Sequence, residues 1–240
     1  MNADVTIAPM APPQRAGGPE ARRILLVFAV CAAAIASTVW AQAQRAPTKE
    51  GTFDELYRRG QLTNASLKTL TARFVETTTS GLLTRPLVER GTLAVERPAR
   101  VVMNYAFPET RTVLIDGDRL VLSWPGRHIH QVTNIGQMQA RVQKYFVDSD
   151  PDELRRSFDI TVTDTEQRPG AEHVTLLPKR KQIREGLTRL DLWIDASSLL
   201  LAAMRMTFAN GDTKLMTLED IVPNAPLAPA TFARPQPAAR

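Results

Sequence analysis

The three histidines of the chain are the side chains best suited to catalysis or to metal binding. His128 and His130 alternate along a predicted strand, which would place both rings on one face, and His173 could supply a third nitrogen to a zinc ion. The neighbouring sequence carries no acidic motif that would complete a recognised zinc site. Two partly exposed strand histidines are the favoured interpretation, and a hydrolase that uses His128 and His130 is the alternative.

Acidic and nucleophilic motifs are equally sparse. The run from Asp148 to Glu153 has the composition of a calcium loop but lacks its turn glycine, and Asp150 followed by Pro151 is typical of a helix start. The chain contains no nucleophile elbow, phosphate-binding loop or dinucleotide-binding fingerprint. We therefore predict a protein that is not an enzyme and that has no cofactor and no metal.

The charge balance also excludes one class of partner. The 30 basic residues exceed the 25 acidic ones only slightly and are spread along the chain, which argues against nucleic acid. One local basic run, Lys179-Arg180-Lys181 followed by Arg184, lies between two predicted strands. A solvated loop is the favoured interpretation, and contact with anionic lipid head groups is the alternative.

Arg97 occupies an unusual position for a charged residue. Side chains alternate along a strand, so Leu93, Val95 and Arg97 point to the same side, and an arginine ends an apolar face. Its aliphatic part could simply carry the guanidinium out to solvent. The functional interpretation is a charge at the rim of a cavity that donates hydrogen bonds to backbone carbonyls of a covering helix.

The elements that must position these residues are mostly strands. Period-two patterns with β-branched residues predict about eleven strands. They lie over residues 73–79, 87–95, 101–105, 112–115, 120–123, 128–132, 160–163, 173–177, 190–194, 200–208 and 214–221. Asp116-Gly117 predicts a tight hairpin turn. The pattern lacks strand–helix–strand alternation, which favours an antiparallel sheet.

Two helical regions accompany the strands. Apolar residues at three-to-four spacing between Phe53 and Leu70 predict one or two short helices with breaks at Gly60 and Asn64, and residues 135–146 and 150–158 predict a second region. A sheet of this length tends to curl. We predict a mainly β fold with helices (α+β), in which a curled antiparallel sheet forms an incomplete β-barrel with a helical lid over an apolar cavity.

The first 43 residues are predicted to be an export signal. Arg22 and Arg23 precede the apolar residues 24–40, and Ala41-Gln42-Ala43 offers the small residues that a signal peptidase requires. An uncleaved anchor is the alternative, although the apolar run is at the short edge for spanning a bilayer. Cleavage near Ala43 would leave a periplasmic chain without cysteine.

The rest of the chain is predicted to form a single domain over residues 44–233. Residues 234–240 are predicted to be a flexible tail. The Pro- and Ala-rich segment from Pro223 onwards is predicted to be loosely held.

An ordered set of short matches resembles the periplasmic outer-membrane lipoprotein carriers of the LolA type. The central stretch runs from Gly91 through Arg97-Pro98 to Tyr105 and Pro108. The further matches are Phe74 with Glu76 (where the family usually has glutamine), Ile115-Asp116-Gly117 with Pro125, Leu177-Pro178-Lys179, and Phe232. The similarity covers roughly residues 53–233. The order of the motifs is specific, although no single motif is.

The resemblance implies a periplasmic carrier that takes acylated lipoproteins from an inner-membrane ABC transporter and passes them to an outer-membrane receptor. By resemblance, Arg97 matches the arginine that latches the lid in the closed state. Val101 matches a position that is usually larger or aromatic, so its role in transfer stays open. We expect a monomer. The alternatives are a binder of another lipid or isoprenoid in envelope biogenesis and a membrane-tethered sensor, because a fold does not fix its cargo.

A carrier of acyl chains needs a large apolar cavity, because each methylene left in water costs about 0.8 kcal/mol. The residues expected to line the cavity and bind acyl chains are Phe74, Leu93, Val95, Val101, Met103, Tyr105, Leu122, Met138, Val142, Met204 and Met206. Four of them are methionines, whose thioethers adapt to chains of varied shape. Ordinary core filling is the alternative for each methionine.

Overall fold

The computed structural model describes residues 51–142, 150–164 and 168–236. The predicted export signal, residues 1–43, lies outside them, as do residues 237–240 of the predicted tail. The strands are β1 (Thr69–Thr79), β2 (Leu87–Glu96), β3 (Arg100–Phe107), β4 (Arg111–Asp116), β5 (Arg119–Trp124), β6 (Ile129–Asn134), β7 (Phe158–Asp164), β8 (Ala171–Pro178), β9 (Leu187–Asp195), β10 (Leu201–Phe208) and β11 (Thr213–Pro223).

All these strands belong to one antiparallel sheet of 11 strands in the order β6-β5-β4-β3-β2-β1-β11-β10-β9-β8-β7. Consecutive strands pair with each other within β1–β6 and within β7–β11, and the two halves join where β1 pairs with β11. The sheet is open, with β6 and β7 as its edges. The prediction of a mainly β fold built on about eleven antiparallel strands is confirmed.

The helices are α1 (Gly51–Asn64), α2 (Gly136–Val142), α3 (Pro151–Ser157) and the short α4 (Lys181–Arg184), with 3₁₀ turns at Pro125–Arg127 and Pro229–Phe232. The expected break at Gly60 is wrong, because α1 continues through it, whereas the expected break at Asn64 is confirmed as the end of the helix. The prediction for the start of α3 is confirmed: the Asp150 side chain accepts a hydrogen bond from the backbone N–H of Glu153 at 2.7 Å. Among the described helices, none is both long and apolar enough to cross a membrane.

The two faces of the sheet carry separate apolar clusters. The larger cluster defines the inner face. It is built from alternate residues of strands β1 to β5 and β7 to β11, such as Ala72 and Phe74 on β1. The smaller cluster defines the outer face, and its buried members are Ala94, Val102, Leu114, Val121 and Phe232. Strands β2 to β5 therefore carry buried apolar side chains on both faces.

Phe232 comes from the C-terminal segment, which corrects the prediction of a loosely held chain beyond Pro223. Phe232 is buried, and the guanidinium carbon of Arg100 lies 4.7 Å from the centre of its ring. The backbone N–H of Asn224 donates to the carbonyl oxygen of Thr69 at 2.7 Å. The segment lies against the sheet because it covers apolar side chains that would otherwise contact water.

Candidate functional site

An apolar cavity of about 210 Å³ lies between α1 and the inner face of the sheet. Helix α1 contributes Phe53, Leu56 and Tyr57, which lie on one face of the helix at three-to-four spacing. Leu154 of α3 and apolar residues of strands β1, β2 and β8–β11 complete the lining. Two helices thus cover a hollow lined mainly by hydrocarbon side chains.

The predicted acyl-binding residues divide into four groups. Those that line the cavity are Leu93, Val95 and Met204. Those that are buried in the inner-face cluster, beyond the lining, are Phe74, Val101, Met103, Tyr105 and Met206. Leu122 packs against that cluster and is partly buried. The side chains of Met138 and Val142 lie outside the described part of the chain.

Sequence reasoning missed several lining residues. Met216 and Leu218 of β11 and Leu190 and Leu192 of β9 contact the cavity. Their strands were predicted, and the alternation within each strand was the available signal. The choice among strands could not be made from the sequence, because it depends on which strands lie beneath α1.

Arg97 contacts the chain at the C-terminal end of α1. Its Nη1 donates to the carbonyl oxygens of Asn64 at 2.8 Å and Leu67 at 3.2 Å. Its backbone N–H donates to the carbonyl oxygen of Lys68 at 2.9 Å. Burial lowers the pKa of the Arg97 guanidinium. A cation in this place also interacts favourably with the negative end of the helix dipole.

Further along the inner face, away from α1, lies a group of buried polar side chains that we call the inner-face network. Its members are Glu76, Glu89, Tyr105, Arg111 and Lys214. Lys214 Nζ donates to Glu76, and the Tyr105 hydroxyl donates to the other oxygen of Glu76 at 3.1 Å. Arg111 binds Glu89 through two nitrogens and lies with its guanidinium carbon 3.6 Å from the centre of the Tyr105 ring.

The network explains how a carboxylate can occupy position 76. Glu76 is fully buried, and a buried charge is tolerated only when it is paired and hydrogen-bonded. Burial, together with the charge of Glu76, raises the pKa of the Tyr105 hydroxyl well above its usual range. Tyr105 therefore stays protonated and serves as a donor to Glu76.

An aromatic pair joins the network to the apolar cluster of the inner face. The rings of Phe74 and Tyr105 meet edge to face with centroids 4.9 Å apart. Phe74 lies over Gly91, where a Cβ atom would come within 2.7 Å of the ring and 2.1 Å of the Asn104 carbonyl oxygen. Glycine is required at position 91 because the aromatic ring and the neighbouring strand approach its backbone closely.

The histidines are not arranged as the sequence suggested. His128 precedes β6 in a left-handed turn with φ 52°, so it does not alternate with His130 along a strand. His173 lies on β8, which pairs with the edge strand β7, whereas His130 lies on the other edge strand, β6. The Nε2 atom of His173 is 2.8 Å from a carboxylate oxygen of Asp191. Among the described residues, no group of three or more potential ligands is placed to hold a metal ion.

Comparison with known proteins shows what this architecture is similar to. The family described as outer membrane lipoprotein carrier protein LolA matches residues 65–235. An outer-membrane lipoprotein carrier protein of Pseudomonas fluorescens is 26% identical over 168 residues, which cover 70% of this chain and 72% of the relative.

Two solved structures are similar to this chain at low sequence identity. An uncharacterized conserved protein from Thermus thermophilus aligns with TM-score 0.50 at 9% identity, over 77% of this chain and 94% of its own. The lipoprotein LppX of Mycobacterium tuberculosis aligns with TM-score 0.45 at 12% identity, over 74% of this chain and 98% of its own.

Proposed function

This chain belongs to the outer membrane lipoprotein carrier protein LolA family, and from that membership we propose that it carries acylated lipoproteins across the periplasm, from the inner to the outer membrane. Members of this family are binding proteins rather than enzymes. The finer proposal is that the protein accepts cargo from an inner-membrane ABC transporter and delivers it to an outer-membrane receptor. Periplasmic location after cleavage near Ala43 is part of the same proposal.

The observation that carries the proposal is the apolar cavity beneath α1. Acyl chains cost about 0.8 kcal/mol for each methylene exposed to water, so a lipoprotein cannot cross an aqueous compartment unaided. The cavity offers hydrocarbon surface and methionine side chains such as Met204 and Met216, which adjust to chains of different shape. We propose that acyl chains occupy this cavity after α1 moves away from the sheet.

In this proposal, Arg97 moderately stabilises the closed state, in which α1 covers the cavity. Its hydrogen bonds to Asn64 and Leu67 contribute a few kcal/mol at most, because the side chain is only partly buried. Closure of that strength competes with bound cargo without excluding it. The returning lid thereby helps to expel the acyl chains when a receptor offers them another apolar site.

A two-step transfer assay with purified membranes tests this mechanism. Arg97→Leu is expected to accept lipoprotein from the inner membrane but to release less of it to the receptor, because lid closure no longer opposes binding. Arg58→Leu is the matched control, since Arg58 pairs with Glu55 on the exposed side of the same helix. Release by Arg97→Leu equal to that of the control would contradict the role of Arg97.

The nature of the cargo is tested by native mass spectrometry of the purified protein. Acylated peptides or lipoproteins bound to the protein support the proposal. A lipid or isoprenoid as the sole bound species would favour the alternative of a binder of another envelope lipid. A protein that binds no acylated species in either experiment is not a carrier.

A further inference from the structure

A buried tryptophan on the outer face of the sheet is flanked by basic side chains. Trp193 of β9 lies between two residues that line the cavity, so its own side chain points to the outer face. It is 2% exposed, and its ring stacks on that of His173 with centroids 4.7 Å apart. The guanidinium carbons of Arg168 and Arg205 lie 5.6 Å and 5.4 Å from the centre of the same indole. Two arginines thus converge on one ring.

The register of the strands brings these two arginines together. Trp193 pairs with Ala203 of β10, which pairs in turn with Thr217 of β11. Because Ala203 carries only a methyl group, the Arg168 side chain can reach across β10, where its Nη2 donates to the Thr217 hydroxyl oxygen at 2.8 Å. Arg205 follows two residues after Ala203 and therefore points to the same face. We call Arg168, Arg205, Trp193 and Thr217 the arginine cluster.

The positive charge of the arginine cluster is not balanced within the described part of the chain. Neither guanidinium forms an ion pair with a carboxylate there. Arg205 lies opposite Asp191 in the register of β9 and β10, but the Asp191 carboxylate accepts hydrogen bonds from Arg189 and Thr175 instead. Burial, followed by the charge of Arg205, lowers the pKa of the Arg168 guanidinium. A nearby anion would stabilise both charged groups.

The indole of the arginine cluster adds a donor that is not satisfied. The Nε1 atom of Trp193 is buried and has no hydrogen-bond acceptor among the described residues. A buried donor of this kind costs free energy, and a bound ion is one of the physical explanations for it. Guanidinium groups and the indole N–H can only donate, and the Thr217 hydroxyl retains its own hydrogen for a further acceptor. The cluster therefore offers donors and positive charge to a ligand that supplies acceptors and negative charge.

The other tryptophan that the structure describes, Trp124, shows the neutralised form of the same arrangement. The guanidinium carbons of Arg111 and Arg127 lie 5.3 Å and 4.0 Å from the centre of its ring. Each of these arginines binds a carboxylate through two nitrogens, that of Glu89 or that of Glu109. The hydrogen bond with Glu109 raises the pKa of the Arg127 guanidinium. In the arginine cluster, the corresponding shift has the opposite direction.

We propose that the arginine cluster is a binding site for the phosphate group of a ligand. Two guanidinium groups match the charge of phosphate better than that of a carboxylate, and arginine binds phosphate oxygens through pairs of N–H groups. Two sources offer this group, namely inorganic phosphate in solution and the headgroup of a phospholipid. The site lies on the face of the sheet opposite to the cavity, so this inference does not depend on the proposed function.

A titration of the protein with inorganic phosphate at constant ionic strength tests the site. The NMR resonance of the Trp193 indole N–H is expected to shift and to saturate, whereas that of Trp124 should stay in place as an internal control. An unshifted Trp193 resonance would overturn the proposal. An equal shift with acetate would overturn the assignment to phosphate.

Variants of the two arginines test which side chains bind the phosphate. Arg168→Gln and Arg205→Gln are each expected to weaken phosphate binding roughly tenfold, the effect of one charge-assisted hydrogen bond at a half-buried site. Arg73→Gln is the matched control, because Arg73 lies on the outer face of β1 and pairs with Asp220 at 2.6 Å. It should bind phosphate like the parent. Equal weakening in all three variants would mean that only net charge matters and would contradict a site, and thermal unfolding of each variant verifies that the fold is retained.

Vesicles of phosphatidylglycerol identify the source of the phosphate. Co-sedimentation that Arg168→Gln weakens and Arg73→Gln preserves would support a phospholipid headgroup at the site. Binding of inorganic phosphate without any effect of Arg168→Gln on co-sedimentation would support soluble phosphate as the ligand. If neither phosphate nor vesicles distinguish Arg168→Gln from Arg73→Gln, the proposal is wrong. None of these readouts measures transfer of lipoprotein, so that result would leave the carrier function to its own test.

Discussion

The Glu76–Lys214 pair provides the most demanding test of the energetics of this fold. The Glu76 side chain is 0% exposed and that of Lys214 is 6% exposed, so water screens neither charge. Lys214→Met removes the ammonium and leaves the carboxylate with the Tyr105 hydroxyl at 3.1 Å. Loss of one partner of a buried pair costs about 3–5 kcal/mol.

For a domain of this size, that loss corresponds to a fall in Tm of about 6–20 °C. The double variant Glu76→Gln, Lys214→Met removes both charges and is expected to be more stable than Lys214→Met alone by about 2 kcal/mol. Lys179→Met is the control, because Lys179 forms an exposed pair with Asp159. Its unfolding free energy should stay within about 0.5 kcal/mol of the parent.

Urea and thermal unfolding of the four proteins measure these differences. A loss below about 1 kcal/mol in Lys214→Met would show that the pair is not the buried interaction described above. A double variant as unstable as Lys214→Met would show that packing, rather than charge, determines the loss. Either result would refute the reasoning.

Three further predictions concern other parts of the fold. Gly91→Ala should cost about 3 kcal/mol in urea unfolding, because a Cβ would lie 2.1 Å from a carbonyl oxygen, and a neutral result would contradict that geometry. Hydrogen bonds from Ser197 and Ser198 lower the pKa of Asp195 to about 2, so its contribution to stability is present above its ordinary value of 3.8 and is lost as the pH falls through about 2. An NMR titration should show this midpoint, and Ser197→Ala should move it towards 3.8. Phe232→Ala should cost about 3–5 kcal/mol and open the C-terminal segment to proteolysis, whereas unchanged protease resistance would mean that the segment does not depend on this ring.

The sequence predicted the sheet well because the relevant signals are local. Alternation of apolar residues gave the strands, and Asp116-Gly117 correctly marked the hairpin between β4 and β5. The helix start at Asp150 was equally clear, since a capping side chain and a proline act within one turn. Each of these features depends on residues that are close in the chain.

The site was harder to predict because it depends on contacts between distant residues. Lys214 and Glu76 are far apart in the sequence, and their pairing follows from the meeting of β1 and β11 at the centre of the sheet. In a strand where apolar and polar residues alternate, a lysine or a glutamate is ordinarily assigned to the solvent-exposed face. Their parity with Met216 and Phe74 was the available signal that both charges face inward.

Prediction also failed where a weak local signal was overruled by tertiary contacts. Gly60 suggested a break in α1, but Gly60 itself and Gln61 and Asn64 after it line the same cavity as Leu56 and Tyr57 before it. These contacts with the rest of the fold outweigh the roughly 1 kcal/mol of helix preference that a glycine loses. The C-terminal segment is rich in proline and alanine, yet Phe232 supplies enough buried surface to hold it against the outer face.

The buried charges of the sheet agree with the proposed carrier function, in which the protein would open without unfolding. The inner-face network joins β1, β2, β3, β4 and β11 by buried charges, so separating these strands would leave charges unpaired at a cost of several kcal/mol each. In the part of the chain that the structure describes, the first half of α1 lies over the cavity with apolar side chains and pairs with α3 through Asp54 and Arg155 at the surface. Its displacement exposes hydrocarbon surface, and an incoming acyl chain covers hydrocarbon surface of the same kind. In the proposed carrier, cargo would offset the cost of lifting α1 but not the cost of opening the sheet, which is why we propose the helix as the element that moves.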